Sequence, residues 1–151
     1  MIKLIVVGSI KEKYLKDAID EYKKRISKYT NIEIIEVKDE GIVEETKAIK
    51  LEEEKINKHI NDRDYIVTLE IEGKQFTSIE FAEKINDIMI ENSNLTFIIG
   101  GSYGLSDNLK RRAKLHLSFS KMTFPHQLFR VLLLEQIYRA YKINNNESYH
   151  K

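Results

Sequence analysis

Five short apolar runs alternate along the chain with charged segments, and this alternation restricts the possible folds more than any other feature of the sequence. The apolar runs predict β-strands at Ile2–Gly8, Ile32–Val37, Tyr65–Ile71, Leu95–Ile99 and Leu115–Phe119. The other segments repeat their apolar residues at helical spacing and predict α-helices over Glu12–Tyr29, Glu44–Ile60, onward from Thr77, over Ser106–Lys114 and from Pro125 to Ile143. Alternating strands and helices are typical of α/β folds, so we expect a mostly parallel sheet with helices on both faces.

Three local signals refine this outline. Thr77 and Glu80 have the spacing of a capping box, in which each side chain accepts a hydrogen bond from a free amide at a helix start. Gly73 predicts a turn between the third strand and this helix. The second helix is so strongly charged that we expect it to be largely exposed, with a few apolar residues at helical spacing, namely Ile49, Ile56 and Ile60.

The length of the chain, 151 residues, has room for one domain, which we expect to cover residues 1–151. No apolar run approaches the roughly 20 residues that span a bilayer. The absence of cysteine excludes disulfides, thiolate nucleophiles and thiolate ligands. The first residues fit a strand better than a secretion signal, so we expect a cytoplasmic protein with no membrane partner.

Two loops at strand ends form the candidate ligand site. Three of the six glycines fall within Gly100–Gly104, directly after the fourth predicted strand, and the only proline, Pro125, ends a second loop, Phe119–Phe124. Open α/β sheets bind ligands at the carboxyl ends of their strands. The glycine loop lacks the Lys-Ser/Thr of a phosphate-binding P-loop, and Gly8 lacks the further glycines of a dinucleotide site. By itself, the glycine loop fits a ligand-binding turn and a turn without a ligand equally well.

Positive charge is concentrated in the same third of the chain. Residues 1–100 contain 16 Lys and Arg against 21 Asp and Glu, a net charge of −5, whereas residues 101–151 contain 9 against 3, a net charge of +6. A basic region beside a candidate site suits a partner that carries phosphate, such as a nucleic acid. A solvated surface explains a short charge excess as well, so charge alone does not decide between the two.

The last predicted helix carries two polar side chains of interest. His126 and Arg130 are four residues apart and share one face near its N-terminus. Arg130 stands among apolar residues, where a guanidinium needs a partner. The helix is apolar around so much of its circumference that we expect more than one side to be covered, and a second subunit could cover one of them. The tail Tyr149-His150-Lys151 is compatible with a frayed end or with binding to a base and a phosphate.

No metal site is predicted. The four histidines, His59, His116, His126 and His150, show no ligand spacing, and the chain has no thiols. A Gly-x-Ser-x-Gly nucleophile elbow is also absent.

The motifs resemble one protein family when they are taken together. They are Leu69-Glu70, Gly73-Lys74, Gly100-Gly101-Ser102-Tyr103-Gly104, the segment 118–126, Arg130, the segment 135–140 and Tyr149-His150. In this combination and over the whole chain, the sequence resembles the RlmH family, which are ribosomal RNA methyltransferases of the SPOUT superfamily.

The resemblance implies a single SPOUT domain whose C-terminal region, about residues 95–151, forms a deep trefoil knot, an exception to the rule that chains avoid threading. It also implies a homodimer that uses S-adenosylmethionine as methyl donor. The implied reaction is methylation of N3 of pseudouridine 1915 in 23S rRNA, on a stem-loop of the large subunit at the subunit interface of assembled ribosomes.

The resemblance also assigns roles to residues of this chain. The implied cofactor contacts are Leu69, Gly100, Phe119, Ser120, Lys121, Met122, Thr123 and Phe124. We hypothesise that Arg130 supports negative charge on the uracil ring and that His126 positions the nucleotide. Arg139, Tyr149 and His150 are expected to bind substrate, with the tail acting on the partner subunit's site.

Two other functions stay open at this point. The chain could be a ribosome-binding module that has kept the fold without catalysis, in which case it would bind S-adenosylmethionine weakly or not at all. It could also methylate another RNA, such as tRNA. Knotted tRNA methyltransferases often carry additional RNA-binding domains, for which this chain has no room.

Overall fold

The computed structural model describes residues 1–151 and contains five strands that alternate with five helices. The strands are β1 (Ile2–Val7), β2 (Ile32–Val37), β3 (Tyr65–Lys74), β4 (Leu95–Ile99) and β5 (Leu115–Leu117). The helices are α1 (Lys13–Ile26), α2 (Glu45–Asn57), α3 (Ser78–Glu91), α4 (Asp107–Arg112) and α5 (His126–Asn144). Every predicted element is therefore present, and the differences concern their ends.

The strands form one sheet in the order β2-β1-β4-β3-β5, and every neighbouring pair is parallel. The predicted α/β class is confirmed. Because the strands are parallel, their carboxyl ends lie along one edge of the sheet, and ligands of open α/β sheets bind at that edge.

Helices cover both faces of the sheet, as expected. Alternate residues of a strand point to opposite faces, so Leu4 and Val6 of β1 join one core cluster while Ile5 and Val7 join another. The larger cluster includes buried residues of α1, α3 and α5, and the smaller one includes buried residues of α2 and α4. Each fully buried Leu or Ile stabilises this arrangement by about 1.5–3 kcal/mol.

The predicted turn at Gly73 is wrong. Gly73 lies inside β3, which continues to Lys74 rather than ending at Ile71. A Cβ atom on Gly73 would lie 2.7 Å from the carbonyl oxygen of His116, so this glycine is required by the close approach of β5. The amide of Ser118 donates to the carbonyl of Lys74 at 2.9 Å and extends the pairing.

Several predicted element ends are also corrected. α1 ends at Ile26 instead of Tyr29, α2 at Asn57 instead of Ile60, and β5 at Leu117 instead of Phe119. α2 buries three side chains, so it is less exposed than expected, and its buried residues are Ala48, Glu52 and Ile56.

The predicted helix starts are confirmed at two places. The Thr77 hydroxyl accepts from the amide of Glu80 at 3.1 Å, and the Glu80 carboxylate accepts from the amide of Thr77 at 2.8 Å. Ser106 caps α4 by accepting from the amide of Leu109. Pro125 is the N-cap of α5, so the helix itself begins at His126.

None of the helices has the length and apolar character needed to cross a membrane. The trefoil knot of residues 95–151 stays a prediction.

Candidate functional site

A cavity of about 360 Å³ opens at the carboxyl ends of β3, β4 and β5, and we call it the first cavity. Its walls include seven of the eight expected cofactor residues, namely Leu69, Gly100, Phe119, Ser120, Met122, Thr123 and Phe124. Lys121 belongs to the same loop but does not line the cavity. The two loops singled out by the sequence therefore meet at one site.

The glycine loop forms the wall that follows β4. Its turn is closed by a hydrogen bond from the amide of Gly104 to the carbonyl of Gly101, at 3.0 Å. A Cβ atom on Gly100 would lie 2.8 Å from the backbone carbonyl of Gly104, and Gly104 itself has a φ of +81°. Glycine is needed at the first position for space and at the second for backbone conformation.

The loop after β5 forms an aromatic wall. The Ser120 hydroxyl accepts from the amide of Met122 at 3.0 Å, and the Ser120 carbonyl accepts from the Ser118 hydroxyl at 3.1 Å. The ring of Phe129 stacks on Phe124 and meets Phe119 edge-on, with centroids 5.8 and 5.0 Å apart. These contacts join the loop to α5 and present flat apolar surface next to backbone polar groups, an arrangement common in cofactor sites.

Charged residues complete the first cavity, although none of them was among its expected ligand contacts. Glu70 and Glu72 follow Leu69 on β3, and Lys110 comes from α4. The Glu70 carboxylate accepts from the Thr68 hydroxyl at 2.7 Å, contacts the His116 ring and lies 3.7 Å from Lys110 Nζ. For Glu70 and Glu72, the available signal was their position at the end of the apolar run that predicts the third strand, whereas no such signal marks Lys110.

A second cavity, of about 580 Å³, lies at the carboxyl ends of β1 and β2 and at the start of α5. It shares three wall residues with the first cavity: Gly101, Ser102 and His126. The two spaces are therefore neighbours, separated by the glycine loop and the first residue of α5.

Arg130 lines the second cavity and is only 2% exposed. Its guanidinium donates to the Glu36 carboxylate at 2.8 Å and to the carbonyls of Val7 and Gly8 at 3.1 and 2.9 Å, while Nε has no partner. Burial lowers the pKa of Arg130, and the Glu36 carboxylate opposes this shift. The partner that Arg130 requires is thus Glu36, which the sequence does not reveal because it lies 94 residues away along the chain.

His126 is exposed and lines both cavities, so His126 and Arg130 do face the same space. His126 and Arg130 differ in burial, because His126 lies in the first turn of α5, which is open to solvent, whereas Arg130 lies in the next turn and contacts the end of β1.

The remaining expected substrate residues lie together at the other end of α5. Tyr149 Oη donates to Glu135 at 3.0 Å, Arg139 covers the Tyr149 ring at 4.7 Å, and Arg139 lies 3.1 Å from the His150 ring nitrogen. Burial and the Glu135 hydrogen bond raise the pKa of Tyr149 to about 12. The tail is docked on its own helix and lines neither cavity.

The distance along α5 keeps the tail away from both cavities of its own chain. Arg139 follows His126 by thirteen residues in one helix, which corresponds to about 20 Å along the axis. No group of three or more His, Asp or Glu side chains lies close enough to hold a metal ion.

The comparison with protein families identifies the chain. A family model described as "Predicted SPOUT methyltransferase" matches residues 1–150. The chain belongs to the SPOUT methyltransferase family. The resemblance drawn from the motifs is confirmed, and this SPOUT methyltransferase can be compared with its relatives.

Two curated relatives are similar over nearly their whole length. Proteins named "Ribosomal RNA large subunit methyltransferase H" from Clostridium acetobutylicum and Bifidobacterium adolescentis are 54% and 55% identical to it over 157 aligned positions. The alignments cover 99% of this chain and 99% of each relative. A solved structure described as "a probable methylase family protein from Haemophilus influenzae" superposes with a TM-score of 0.59 at 13% identity, over 99% of this SPOUT methyltransferase and 70% of the other chain. That likeness supports the fold alone.

Proposed function

We propose that this protein uses S-adenosylmethionine to methylate N3 of a pseudouridine in the 23S rRNA of assembled ribosomes. The observation that carries the proposal is the pair of adjoining cavities that share Gly101, Ser102 and His126. A methyl donor in the first cavity would have its reactive group next to a nucleotide in the second. The curated relatives named as ribosomal RNA methyltransferases support RNA as the acceptor.

The residues of the first cavity fit S-adenosylmethionine. A volume of about 360 Å³ lies within the range of small-molecule sites. The Phe124 ring and the backbone groups of the loop after β5 suit an adenine ring, and the carboxylates of Glu70 and Glu72 suit the hydroxyls and positive charge of the rest of the molecule. Leu69, Gly100 and the segment 119–124 would hold it.

Methyl transfer requires the methyl group and the uracil N3 atom to be aligned more than it requires either of them to be activated. When bound, S-adenosylmethionine would supply an electrophilic methyl group to uracil N3, with the electron pair of the broken carbon–sulfur bond kept by sulfur and the N3 proton passed to solvent. The glycine loop and His126 would set the line of approach at the wall between the cavities. A nearby positive charge that favours the anionic uracil would also accelerate transfer.

We propose that Arg130 supplies this charge. It lines the second cavity, where Glu36 and the carbonyls of Val7 and Gly8 hold its buried guanidinium in place, so it would act on the uracil through its electric field and not by direct contact. Arg130→Met should lower the single-turnover rate by about 100-fold, by analogy with the loss of one preorganised donor, and Arg130→Lys should lower it less. Calorimetric binding of S-adenosylmethionine reports whether each variant is folded. An unchanged rate in a folded Arg130→Met variant would contradict this role.

We propose that the active form is a homodimer. Met122 and Leu128 are 76% and 40% exposed beside the cavities, and their apolar surface would be covered by a second copy. In such a dimer, Arg139, Tyr149 and His150 of one subunit would bind RNA at the partner's site, since their own cavities lie about 20 Å away along α5. We also propose that the protein acts in the cytoplasm, where ribosomes assemble. The trefoil knot in residues 95–151 is likewise proposed.

One assay tests the function directly. Labelled S-adenosylmethionine is incubated with ribosomes from a strain that lacks this modification, and the labelled nucleoside is identified by mass spectrometry. We expect N3-methylpseudouridine from 23S rRNA in the wild type and a loss of at least tenfold in Gly100→Ala. Label in tRNA would identify tRNA as the substrate in place of 23S rRNA. The absence of both cofactor binding and label would favour a non-catalytic module.

A further inference from the structure

We propose that Lys11 and Lys38, at the second cavity, bind the phosphates that flank the acceptor nucleotide. This inference rests on the proposed function and extends it, because neither lysine was assigned a role by the sequence motifs. It makes the second cavity an RNA-backbone site as well as a nucleotide site.

The composition of the second cavity indicates a polar, charged ligand. Only Val7 and Val37 of its 13 wall residues are hydrophobic, whereas 9 of 19 are hydrophobic in the first cavity. A flat apolar ring system would find little contact there. A nucleotide with charged phosphates fits this lining better.

The two lysines come from neighbouring positions in the fold. β1 and β2 are paired in parallel with Val7 opposite Val37, so the residues that follow these strands leave the sheet side by side. Lys38 directly follows β2, and Lys11 lies in the loop after β1. Both side chains are exposed and both line the cavity.

The backbone at Lys11 is anchored to α5. The amide of Lys11 donates to Gln127 Oε1 at 3.2 Å, which fixes the loop after β1 against the first turn of the helix. Gln127 also lines the second cavity. The Lys11 ammonium is therefore carried by a loop whose position relative to His126 is set by a hydrogen bond.

Neither lysine has a close partner for its ammonium group within the chain, although Lys38 contributes, after Lys55, to lowering the pKa of the Glu40 carboxyl. Neither ammonium forms a salt bridge or a side-chain hydrogen bond, although other surface lysines such as Lys13 and Lys142 do. The carboxylates of the cavity are already engaged, because Glu36 accepts from Arg130 and Ile10, and Asp39 accepts from the amide of Gly41. Two unpaired ammonium groups beside a polar cavity are suited to phosphate oxygens.

Contacts of this kind determine affinity and position, not sequence choice. Each phosphate neutralised by a lysine releases counterions, so the logarithm of the binding constant falls with the logarithm of salt concentration by about 0.7–0.9 per contact. If both lysines contact phosphate, the slope should include about 1.4–1.8 from this pair.

The test compares ribosome binding by the wild type and by the double variant Lys11→Ala/Lys38→Ala between 50 and 200 mM salt. We expect the salt slope of the double variant to be smaller by about 1.5 and the affinity at 0.1 M salt to be weaker by about tenfold or more. S-adenosylmethionine binding should be unchanged, because neither lysine lines the first cavity. Lys11→Arg/Lys38→Arg should restore the slope.

The matched control is Lys58→Ala/Arg63→Ala, which removes two exposed positive charges from the turn between α2 and β3. This turn lies at the opposite edge of the sheet, so the control should keep the wild-type slope. A double variant at Lys11 and Lys38 with the same slope as this control would overturn the inference, even if the wild type methylates ribosomes normally. Wild-type protein that transfers no methyl group would instead contradict the proposed function.

Discussion

Glu36 holds the guanidinium of Arg130 at the junction of three elements. Glu36 Oε2 accepts from Arg130 Nη1 at 2.8 Å and from the amide of Ile10 at 3.1 Å, so one carboxylate oxygen of β2 joins α5 to the loop after β1. The Arg130 side chain is 2% exposed and that of Glu36 is 44% exposed. The pair therefore places a buried positive charge against a carboxylate that still reaches solvent.

Glu36→Gln should destabilise the fold because the buried Arg130 would lose its only anionic partner. Breaking a fully buried pair costs about 3–5 kcal/mol, and the exposure of Glu36 reduces this to about 1–3 kcal/mol. Urea unfolding at pH 7 measures the difference. Glu33→Gln, an exposed residue of the same strand without an ion pair, should change the free energy of unfolding by less than about 0.5 kcal/mol. Equal effects of the two substitutions would contradict this account of Arg130.

Gly100→Ala should distort the wall of the first cavity through a steric clash. The new Cβ would lie 2.8 Å from the backbone of Gly104, which cannot move away as a flexible side chain could. We expect a loss of about 1–3 kcal/mol in the free energy of unfolding, together with at least tenfold weaker S-adenosylmethionine binding by calorimetry. Gly104→Ala meets nothing within 4 Å and should cost only the strain of a φ of +81°, about 1–2 kcal/mol. Wild-type cofactor affinity in Gly100→Ala would show that the loop tolerates displacement.

The sequence was enough to predict the elements because their signals are local. Apolar runs such as Leu95–Ile99 are short and bounded by polar residues, and the capping residues Thr77 and Ser106 mark helix starts directly. Strand order depends on which strands pair, and parallel partners are far apart in the chain. β1 pairs with β4 some ninety residues later, and nothing in either strand specifies that choice.

The errors have the same origin. Gly73 has the local appearance of a turn residue, but β5 approaches β3 there and extends the strand. The run at Glu44–Ile60 looks exposed because it is charged, yet Glu52 is buried and accepts from the amide of Glu40 at 2.9 Å. In both cases a tertiary contact decides the outcome.

The candidate site likewise has one part that local sequence signals predict and one part that depends on tertiary contacts. The wall of the first cavity follows strand ends and could be predicted, whereas Glu36 and the lysines of the second cavity come from the first forty residues and carry no motif. Only the folded sheet brings β1 and β2 beside the start of α5. Lys121, inside the predicted segment, falls outside the cavity because a turning loop does not point all its side chains the same way.

Asp64→Asn should be strongly destabilising because Lys3 would then be a buried charge that keeps its hydrogen bond to the His59 carbonyl but has no anionic partner. The Asp64 side chain is 0% exposed and that of Lys3 is 5% exposed, and Lys3 Nζ lies 3.2 Å from Asp64 Oδ2. The same oxygen also accepts hydrogen bonds from the Thr96 hydroxyl and from the amide of Asn61. The expected cost is about 3–5 kcal/mol, measured by urea unfolding at pH 7. Asp62→Asn, at an exposed neighbour, is the control and should be nearly neutral.

The pH dependence of this pair has a definite sign. Burial alone would raise the pKa of Asp64, but hydrogen bonds from Asn61, Lys3 and Thr96 outweigh burial and hold it below the ordinary value of 3.8. The stabilisation is present above pH 3.8 and is lost as the pH falls through the lower pKa of the folded state. The difference in unfolding free energy between wild type and Asp64→Asn should therefore shrink on acidification from pH 5 to pH 3. A constant difference would contradict the low pKa.

Tyr149→Phe should weaken the attachment of the tail to α5 and remove the loss of stability that the wild type shows at alkaline pH. Burial and the hydrogen bond to Glu135 raise the pKa of Tyr149 to about 12, so this group stabilises the fold fully below its ordinary pKa of 10.0 and loses that effect as the pH rises towards 12. At pH 8 the variant should lose about 1 kcal/mol in the free energy of unfolding, the typical contribution of one hydrogen bond. Between pH 10 and pH 12 the wild type should fall towards the variant. The control is Tyr14→Phe, at a tyrosine that is 68% exposed, and it should leave both the free energy of unfolding at pH 8 and its change between pH 10 and pH 12 as in the wild type. Parallel curves of stability against pH for the wild type and Tyr149→Phe would show that the tail does not depend on this contact.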